Sequence, residues 1–311
     1  MNKSSLMSII IPAFNAEKYI GRCLESIKEQ TYTEWEAIVI DDCSKDNTIE
    51  LVAEYAKKDS RIKLIRQSVN QGPMMARRIG DFTSQGRYII YCDADDTLPA
   101  NALEIYDGVI SGTDVDIVCG NYNCIDKEGN IKEKINKLPR YCDNNFFLKA
   151  VLNRSVNQSL CVKAFRASIV KNASYKVYEH MTNGEDVFLL YQMMPYVKHV
   201  VYTNNNMYNY YEITGSSTHK RLSVNGLESI CRLNQLRSEM TKQFPSLKKA
   251  FIRTIQQSLC LLYNQKYDEN KVLSSLVHQY NLQQYCTLSS LIKHNGLVNA
   301  IIMLLKMRPI S

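Results

Sequence analysis

The ten cysteines of this 311-residue chain, at positions 23, 43, 92, 119, 124, 142, 161, 231, 260 and 286, include no CxxC pair. Most sit among apolar neighbours, so they read as reduced core thiols of a cytosolic protein rather than as a disulfide framework. Residues Met1 to Ser8 lack the basic-then-apolar order of an export signal, and none is expected. No run reaches the roughly 18 apolar residues that a spanning helix needs, so no transmembrane segment is expected either. The stretch PAFNAE, between the first expected strand and helix, contains no glycine. A nucleotidyltransferase of the usual kind, with a glycine-rich phosphate loop there, is thereby disfavoured.

What is present is ordinary globular material, 45% apolar and 22% charged, enough for one large or two moderate domains. The charge of +7 is unevenly distributed. Positions 222–311 hold 11 of the 38 Lys and Arg but only 4 of the 31 Asp and Glu, so the preceding 221 residues carry 27 of each. A basic C-terminal region suits an anionic partner such as a phosphorylated acceptor, a membrane surface or nucleic acid, and equally a solvated basic face.

Met7 to Pro12, MSIIIP, is a short continuous apolar run, as expected of a strand buried on both faces. Asn15 is placed to cap a helix in which Tyr19, Ile20, Cys23, Leu24 and Ile27 recur at helical spacing. Glu36 to Ile40 is a second buried strand and ends in Asp41 and Asp42. A helix from Thr48 to Lys58, a strand at Ile62 to Ile65, a helix opened by Asn70-Gln71-Gly72-Pro73 and a strand at Tyr88 to Cys92 follow. The last strand runs into Asp93, Asp95 and Asp96. This alternation implies an α/β fold with a mainly parallel sheet, helices on both faces and right-handed crossovers. Ligands on such sheets bind at the carboxyl ends of the strands, where Pro12 to Asn15, Asp41-Asp42 and Asp93 to Asp96 converge. Asp93 and Asp95, two residues apart at a strand end, can turn toward one hard divalent cation.

Taken in order, IIIPAFNAEKYI, AIVIDDCSKDNT, NQGPMMARRIG, GRYIIYCDADDTL, NGEDVFLL and YNYYEITGSSTH resemble the fingerprint of family 2 glycosyltransferases with the Rossmann-like GT-A fold. The resemblance covers about Met7 to His219. It implies a catalytic domain over residues 1–221, with a basic helical C-terminal region over 222–311. It also implies that Pro12, Ala13 and Phe14 line the nucleotide base, that Glu17 approaches the uracil or ribose, and that Asp41 accepts a hydrogen bond from the base. Arg77 would lie beside the nucleotide, although Arg78 stands where the family usually has asparagine and leaves the choice between the two arginines open. Asp93 would contact the ribose, Asp95 and His219 would hold Mn²⁺ or Mg²⁺ against the diphosphate, and Asp96 would support them. In Asn183-Gly184-Glu185-Asp186, Asp186 matches the catalytic base and Glu185 a residue that contacts acceptor or donor sugar. A base is needed because a sugar hydroxyl is a poor nucleophile.

The resemblance thus implies a metal-dependent, inverting transfer from a nucleotide-sugar donor, UDP favoured, to a saccharide or lipid-linked saccharide in surface polysaccharide assembly. Two alternatives stay open at this point: transfer to a polyprenyl phosphate, which needs no base, and a binding protein that keeps the nucleotide pocket without turnover. No nucleic acid partner is expected. After Arg221 the pattern is helical, with candidates at Leu222 to Gln243, Leu247 to Gln265 and Leu273 to Tyr280, and Pro245 as a break. Leu297 to Leu305, flanked by Lys293, Lys306 and Arg308, fits either a core helix or an amphipathic anchor on the inner face of the membrane.

Overall fold

The computed structural model describes residues 6–179, 181–213, 222–264 and 272–286. His219 and the stretch Leu297 to Leu305 therefore lie outside the described residues. The elements follow in the order β1 (Met7–Ala13), α1 (Ile20–Lys28), β2 (Trp35–Asp41), α2 (Thr48–Lys58), β3 (Ile62–Arg66), α3 (Pro73–Thr83), β4 (Tyr88–Tyr91) and α4 (Ala102–Ile110). Next come β5 (Ile117–Ile125), β6 (Ile131–Lys134), β7 (Tyr141–Asp143), α5 (Asn144–Leu152), β8 (Lys163–Arg166), α6 (Ala167–Asn172), α7 (Glu185–Met193) and β9 (His199–Tyr211). Three helices close the described chain: α8 (Val224–Gln243), α9 (Lys248–Asn264) and α10 (Val272–Gln279). Pro245 opens a single 3₁₀ turn between α8 and α9, where its missing N–H does no harm.

By their contacts the residues group into two units. One comprises Met1–His180 with Gln192–His219, and the other Met181–Tyr191 with Lys220–Ser311. The first unit is built on one sheet of strand order β3-β2-β1-β4-β8-β5-β9-β7, with β6 alongside β5. Its first four strands are parallel, and the unbroken burial of β1 from Met7 to Ile11 and of β2 from Trp35 to Asp41 fits strands covered on both faces. The second half is mixed: β8 runs antiparallel to both β4 and β5, whereas β5 and β9 are parallel. The β5–β6 hairpin turns at Glu128-Gly129-Asn130 with Gly129 at φ 84°.

Helix α1 buries Ile20, Cys23, Leu24 and Ile27, the positions its spacing indicated. Asn15 does not cap it. The residue sits at φ 49°, five residues before the first helical turn, and its Oδ1 accepts from Lys45 N at 2.8 Å. Asn47 precedes α2 but does not cap it through its side chain either; Asp46 Oδ1 accepts from Thr48 N at 3.1 Å instead. All ten cysteines are free thiols. In the second unit, Leu227, Cys231, Ile255, Leu259, Leu273 and Val277 form a separate core beneath α8, α9 and α10. No helix among the described residues is long and apolar enough to cross a membrane.

Candidate active site

Strand register places the polar groups. Ala13 pairs with Asp41, Asp41 with Arg66, and Ile10 with Tyr91, so the ends of β1, β2, β3 and β4 open on one edge of the sheet. Pro12, Ala13 and the 49% exposed Phe14 stand there beside Asp41 and the acids that follow β4. The loops after β1 and β2 are stitched together. Asn15 N donates to Ser44 Oγ at 3.0 Å, Ala16 N to Thr48 Oγ1 at 2.8 Å and Glu17 N to Asp46 Oδ2 at 3.1 Å. Glu17 Oε2 accepts from both the backbone and the side chain of Asn47, at 3.0 Å each, so this carboxylate braces the start of α2.

Adjacent in sequence, Asp41 and Asp42 have opposite employment. Both Asp42 oxygens are taken: Oδ1 accepts from Gln67 Nε2 (2.9 Å) and Gln71 N (2.8 Å), and Oδ2 from Gly72 N (2.7 Å). Gly72, at φ 90°, has the left-handed backbone that lets its N–H reach that carboxylate and open α3. Asp41 Oδ2 accepts from Ser44 N at 3.2 Å, but its Oδ1 is buried with no hydrogen-bond partner. A buried acceptor left unpaired is costly, and at a strand end it is a reason to expect a ligand donor.

The two arginines of α3 are told apart by their surroundings. Arg77 is 3% exposed and its Nη2 meets Asp93 Oδ1 at 2.9 Å. Arg78 turns the other way, donating to Tyr175 O at 3.0 Å. One turn beyond Arg77, the buried Asp81 accepts from Tyr91 Oη at 2.9 Å and from Tyr175 Oη. Burial pushes the Asp81 carboxyl up to about 7 against the pull of those two hydroxyls.

Asp95 is held above the ordinary carboxyl range, first by burial and then by the charge of Asp93. A divalent cation would relieve that repulsion, and carboxylate oxygens are the donors a hard ion takes. The described residues therefore fit Mn²⁺ or Mg²⁺ through Asp95, with Asp93 adjacent. They do not make a full cage, since no cluster of three or more His, Cys, Asp or Glu is placed for a metal among them. Asp96 faces inward. Its Oδ2 accepts from Tyr208 Oη at 2.7 Å and its Oδ1 from Tyr211 N at 2.9 Å, and burial, then Asp93, pushes it up to about 8. Tyr208 Oη also accepts from Asp93 N at 3.1 Å, and Thr97 bridges Asn209. The acid loop is thus tied to the end of β9 through residues more than 110 positions away. Arg22, on α1, adds to the tie: its Nη2 donates to Asp95 O at 2.6 Å while its guanidinium lies 3.5 Å over the Tyr211 ring.

Glu185 and Asp186 lie in the second unit, where Glu185 opens α7. Gly184 is at φ 79°, and a Cβ there would meet Leu233 Cδ2 at 2.8 Å, so any other residue is strained in the turn before the acids. Thr182 N donates to Ser229 Oγ at 3.3 Å. Tyr191 packs edge-on against Phe251 with centroids 5.8 Å apart, which fixes the far end of α7 on α9.

Sequence patterns pointed to the acids at the strand ends, Asp42 among them, and to the segment that Tyr208 begins, but not to Arg22 or Asp81. Nothing in the neighbouring residues marks them, because their partners lie elsewhere in the chain.

Comparison with known proteins agrees with this geometry. The model of the family described as glycosyl transferase family 2 matches residues 8–179. The glycosyltransferase GlyG of Streptococcus pneumoniae is 28% identical over 68% of this chain and 73% of its own length. An Escherichia coli enzyme named as a UDP-Glc:α-D-GlcNAc-diphosphoundecaprenol β-1,3-glucosyltransferase is 35% identical over 49% of this chain and 61% of its own. Among solved structures, the Staphylococcus aureus TarS fragment 1–349 with UDP-GlcNAc superposes with a TM-score of 0.73. It covers 95% of this chain and 88% of that one at 16% identity, a likeness of fold.

Proposed function

The chain belongs to glycosyl transferase family 2 and is a glycosyltransferase, and on that premise we propose that it moves a sugar from UDP to a saccharide or lipid-linked saccharide hydroxyl in surface polysaccharide assembly. The observation that carries the donor is Asp41 Oδ1, a buried acceptor without a partner on the strand edge shared with Arg77, Asp93 and Asp95. The imide N–H of uracil is the donor such an oxygen calls for, and the exposed Phe14 directly follows Ala13, the residue paired with Asp41. The S. aureus structure with UDP-GlcNAc and the E. coli relative named for a UDP-Glc donor support the same base. That relative is also named for a diphosphoundecaprenol-linked acceptor, which supports a lipid-linked one here.

In this reading Asp41 selects the base, Arg77 holds Asp93 in place for the ribose, and Asp95 with His219 would hold Mn²⁺ or Mg²⁺. When bound, the ion supplies neutralisation of the diphosphate charge that grows as the nucleotide leaves. Asp186 takes the proton of the attacking hydroxyl, Glu185 contacts a sugar, and the single displacement inverts the anomeric centre. The basic residues 222–311 bring the enzyme to an anionic surface or substrate at the cytoplasmic face of the membrane.

Thermal stability against nucleoside diphosphates, with and without Mn²⁺, tests the donor site on wild type and Asp95→Ala. A ligand at one hundred times its dissociation constant stabilises by about 2.7 kcal/mol. The expected result is a UDP shift that requires Mn²⁺ and disappears in Asp95→Ala. No shift with any nucleotide would refute the reading.

A further inference from the structure

Away from the acids, a groove of about 590 Å³ runs between the C-terminal end of α4, strand β7 and the first half of β9. Val109, Leu138 and Val201 make its apolar part, and Thr113, Arg140, Tyr141, Tyr202, Thr203 and Asn204 its polar part. Tyr141 is 58% exposed and stands on the rim, with a second depression of about 380 Å³ on its other side. The Asn204 amide is pre-set: its Oδ1 lies 3.1 Å from both Asn121 Nδ2 and Tyr202 Oη, which leaves its Nδ2 to serve as a donor at the surface. Among the described residues, Arg140 is the one charged residue lining the larger hollow.

Two glycines of that lining, Gly108 and Gly112, add a second observation. A Cβ built on either meets no atom within 4 Å, and neither has a left-handed backbone. Neither packing nor conformation asks for glycine, and Gly108 lies inside α4, where glycine is a worse helix former than alanine. Both line the groove, and a side chain on either would project into open space.

We infer that this groove is a saccharide-binding site, one that holds the acceptor glycan at a distance from the reaction centre. An exposed aromatic ring offers a face to the C–H side of a sugar, and amide, hydroxyl and phenol groups around it match sugar hydroxyls as donors and acceptors. A nucleic acid would need several cations where the described lining of the larger hollow offers Arg140. Strand β9 links the groove to the acid edge, since the same strand carries Tyr202 to Asn204 and, seven residues after Tyr202, Asn209, which bridges Thr97. Because β9 is bulged, Tyr202 faces Cys119 of β5 and Asn209 faces Asn123, so at about 3.3 Å per residue of β5 the separation is roughly 13 Å. A growing glycan whose end is extended at the acids would thus rest a few sugar units back in the groove, and this step rests on the function proposed above.

The test uses the full chain and fluorescently labelled protein on an array of bacterial surface oligosaccharides, with UDP and Mn²⁺ thermal shifts measured on the same samples. Three proteins are compared: wild type, Gly108→Gln/Gly112→Gln to fill the groove, and Gly108→Ala/Gly112→Ala as the control for folding. The expected result is wild-type and alanine-variant binding to at least one oligosaccharide, a loss of more than tenfold in the glutamine variant, and the same UDP shift in all three. Equal glycan binding by wild type and glutamine variant, or no glycan bound by wild type, overturns the inference while an intact UDP shift leaves the donor reading standing. If glycans bind through the groove but UDP gives no shift, the donor reading fails and the groove remains. Capture of extended peptides in place of glycans would make the groove a strand-docking edge and also overturn it.

Discussion

Replacing Asp41 with asparagine probes the donor site through one atom. In the wild type, Ser44 N–H donates to Asp41 Oδ2 at 3.2 Å and Oδ1 is buried without a partner. An asparagine there turns its carbonyl oxygen to Ser44 N–H, because the amide nitrogen has no lone pair to accept with. Its Nδ2 then takes the place of Oδ1. Uracil loses a hydrogen bond to a charged acceptor, worth about 1.5 to 3 kcal/mol, and faces donor with donor. UDP affinity should fall roughly ten- to hundredfold. Cytosine carries an acceptor at the same ring position, so CDP should gain on UDP in the variant. Without nucleotide, the variant exchanges a buried, unpaired carboxylate oxygen for a neutral amide, and its melting temperature should equal or exceed that of the wild type. Titration calorimetry with UDP and CDP at fixed Mn²⁺, with melting curves of the ligand-free proteins, reads both effects. An unchanged UDP affinity in a folded variant, with no change in the UDP to CDP preference, would refute the assignment of Asp41 to the base.

Three further outcomes are expected. Asp186→Asn should lower the rate of sugar transfer by about a hundredfold or more while UDP binding is kept; a rate near wild type would instead favour an anionic polyprenyl phosphate acceptor that needs no base. Gly184→Ala forces a Cβ onto a backbone at φ 79° and to within 2.8 Å of Leu233 Cδ2, and urea unfolding should show a loss of about 1 to 3 kcal/mol. Burial raises the Asp81 carboxyl to about 7 from an ordinary 3.8, so the folded state holds its proton longer than the unfolded chain. Its contribution is fully present below pH 3.8 and is lost as the pH rises through 7. Asp81→Asn should therefore outlast the wild type at pH 8, by as much as about 4 kcal/mol, and converge with it toward pH 4. Parallel stability curves for the two proteins across that range would contradict this.

How much of the molecule was legible in the sequence depended on how local the determining physics is. The parallel half of the sheet was legible because a strand buried on both faces must be continuously apolar, as MSIIIP and AIVI are, and because carboxylates cannot continue such a run. Asp41, Asp42, Asp93, Asp95 and Asp96 could therefore be named from strand ends, whereas Glu17, Glu185 and Asp186 were named only through the family resemblance. The mixed half was not legible. Nothing in Lys163–Arg166 announces that it runs antiparallel between β4 and β5, since pairing direction depends on the path of the connections.

Function within the acid groups was likewise decided only in three dimensions. Asp41 and Asp42 are identical neighbours, yet the loop from Gln67 to Gly72 occupies one and leaves a buried oxygen of the other without a partner. Arg77 and Arg78 differ only by 100° of helix rotation, which sends one to Asp93 and the other to Tyr175. Asp96 is recognisable as a tether only once Tyr208 and Tyr211 arrive from β9. The sequence by itself determined which residue types stand at the strand ends, because burial and strand propensity act over a few residues. Only the tertiary structure decided which of those side chains are spent on holding the fold and which are left for a ligand, because the partners that satisfy them come from as far as 115 residues away.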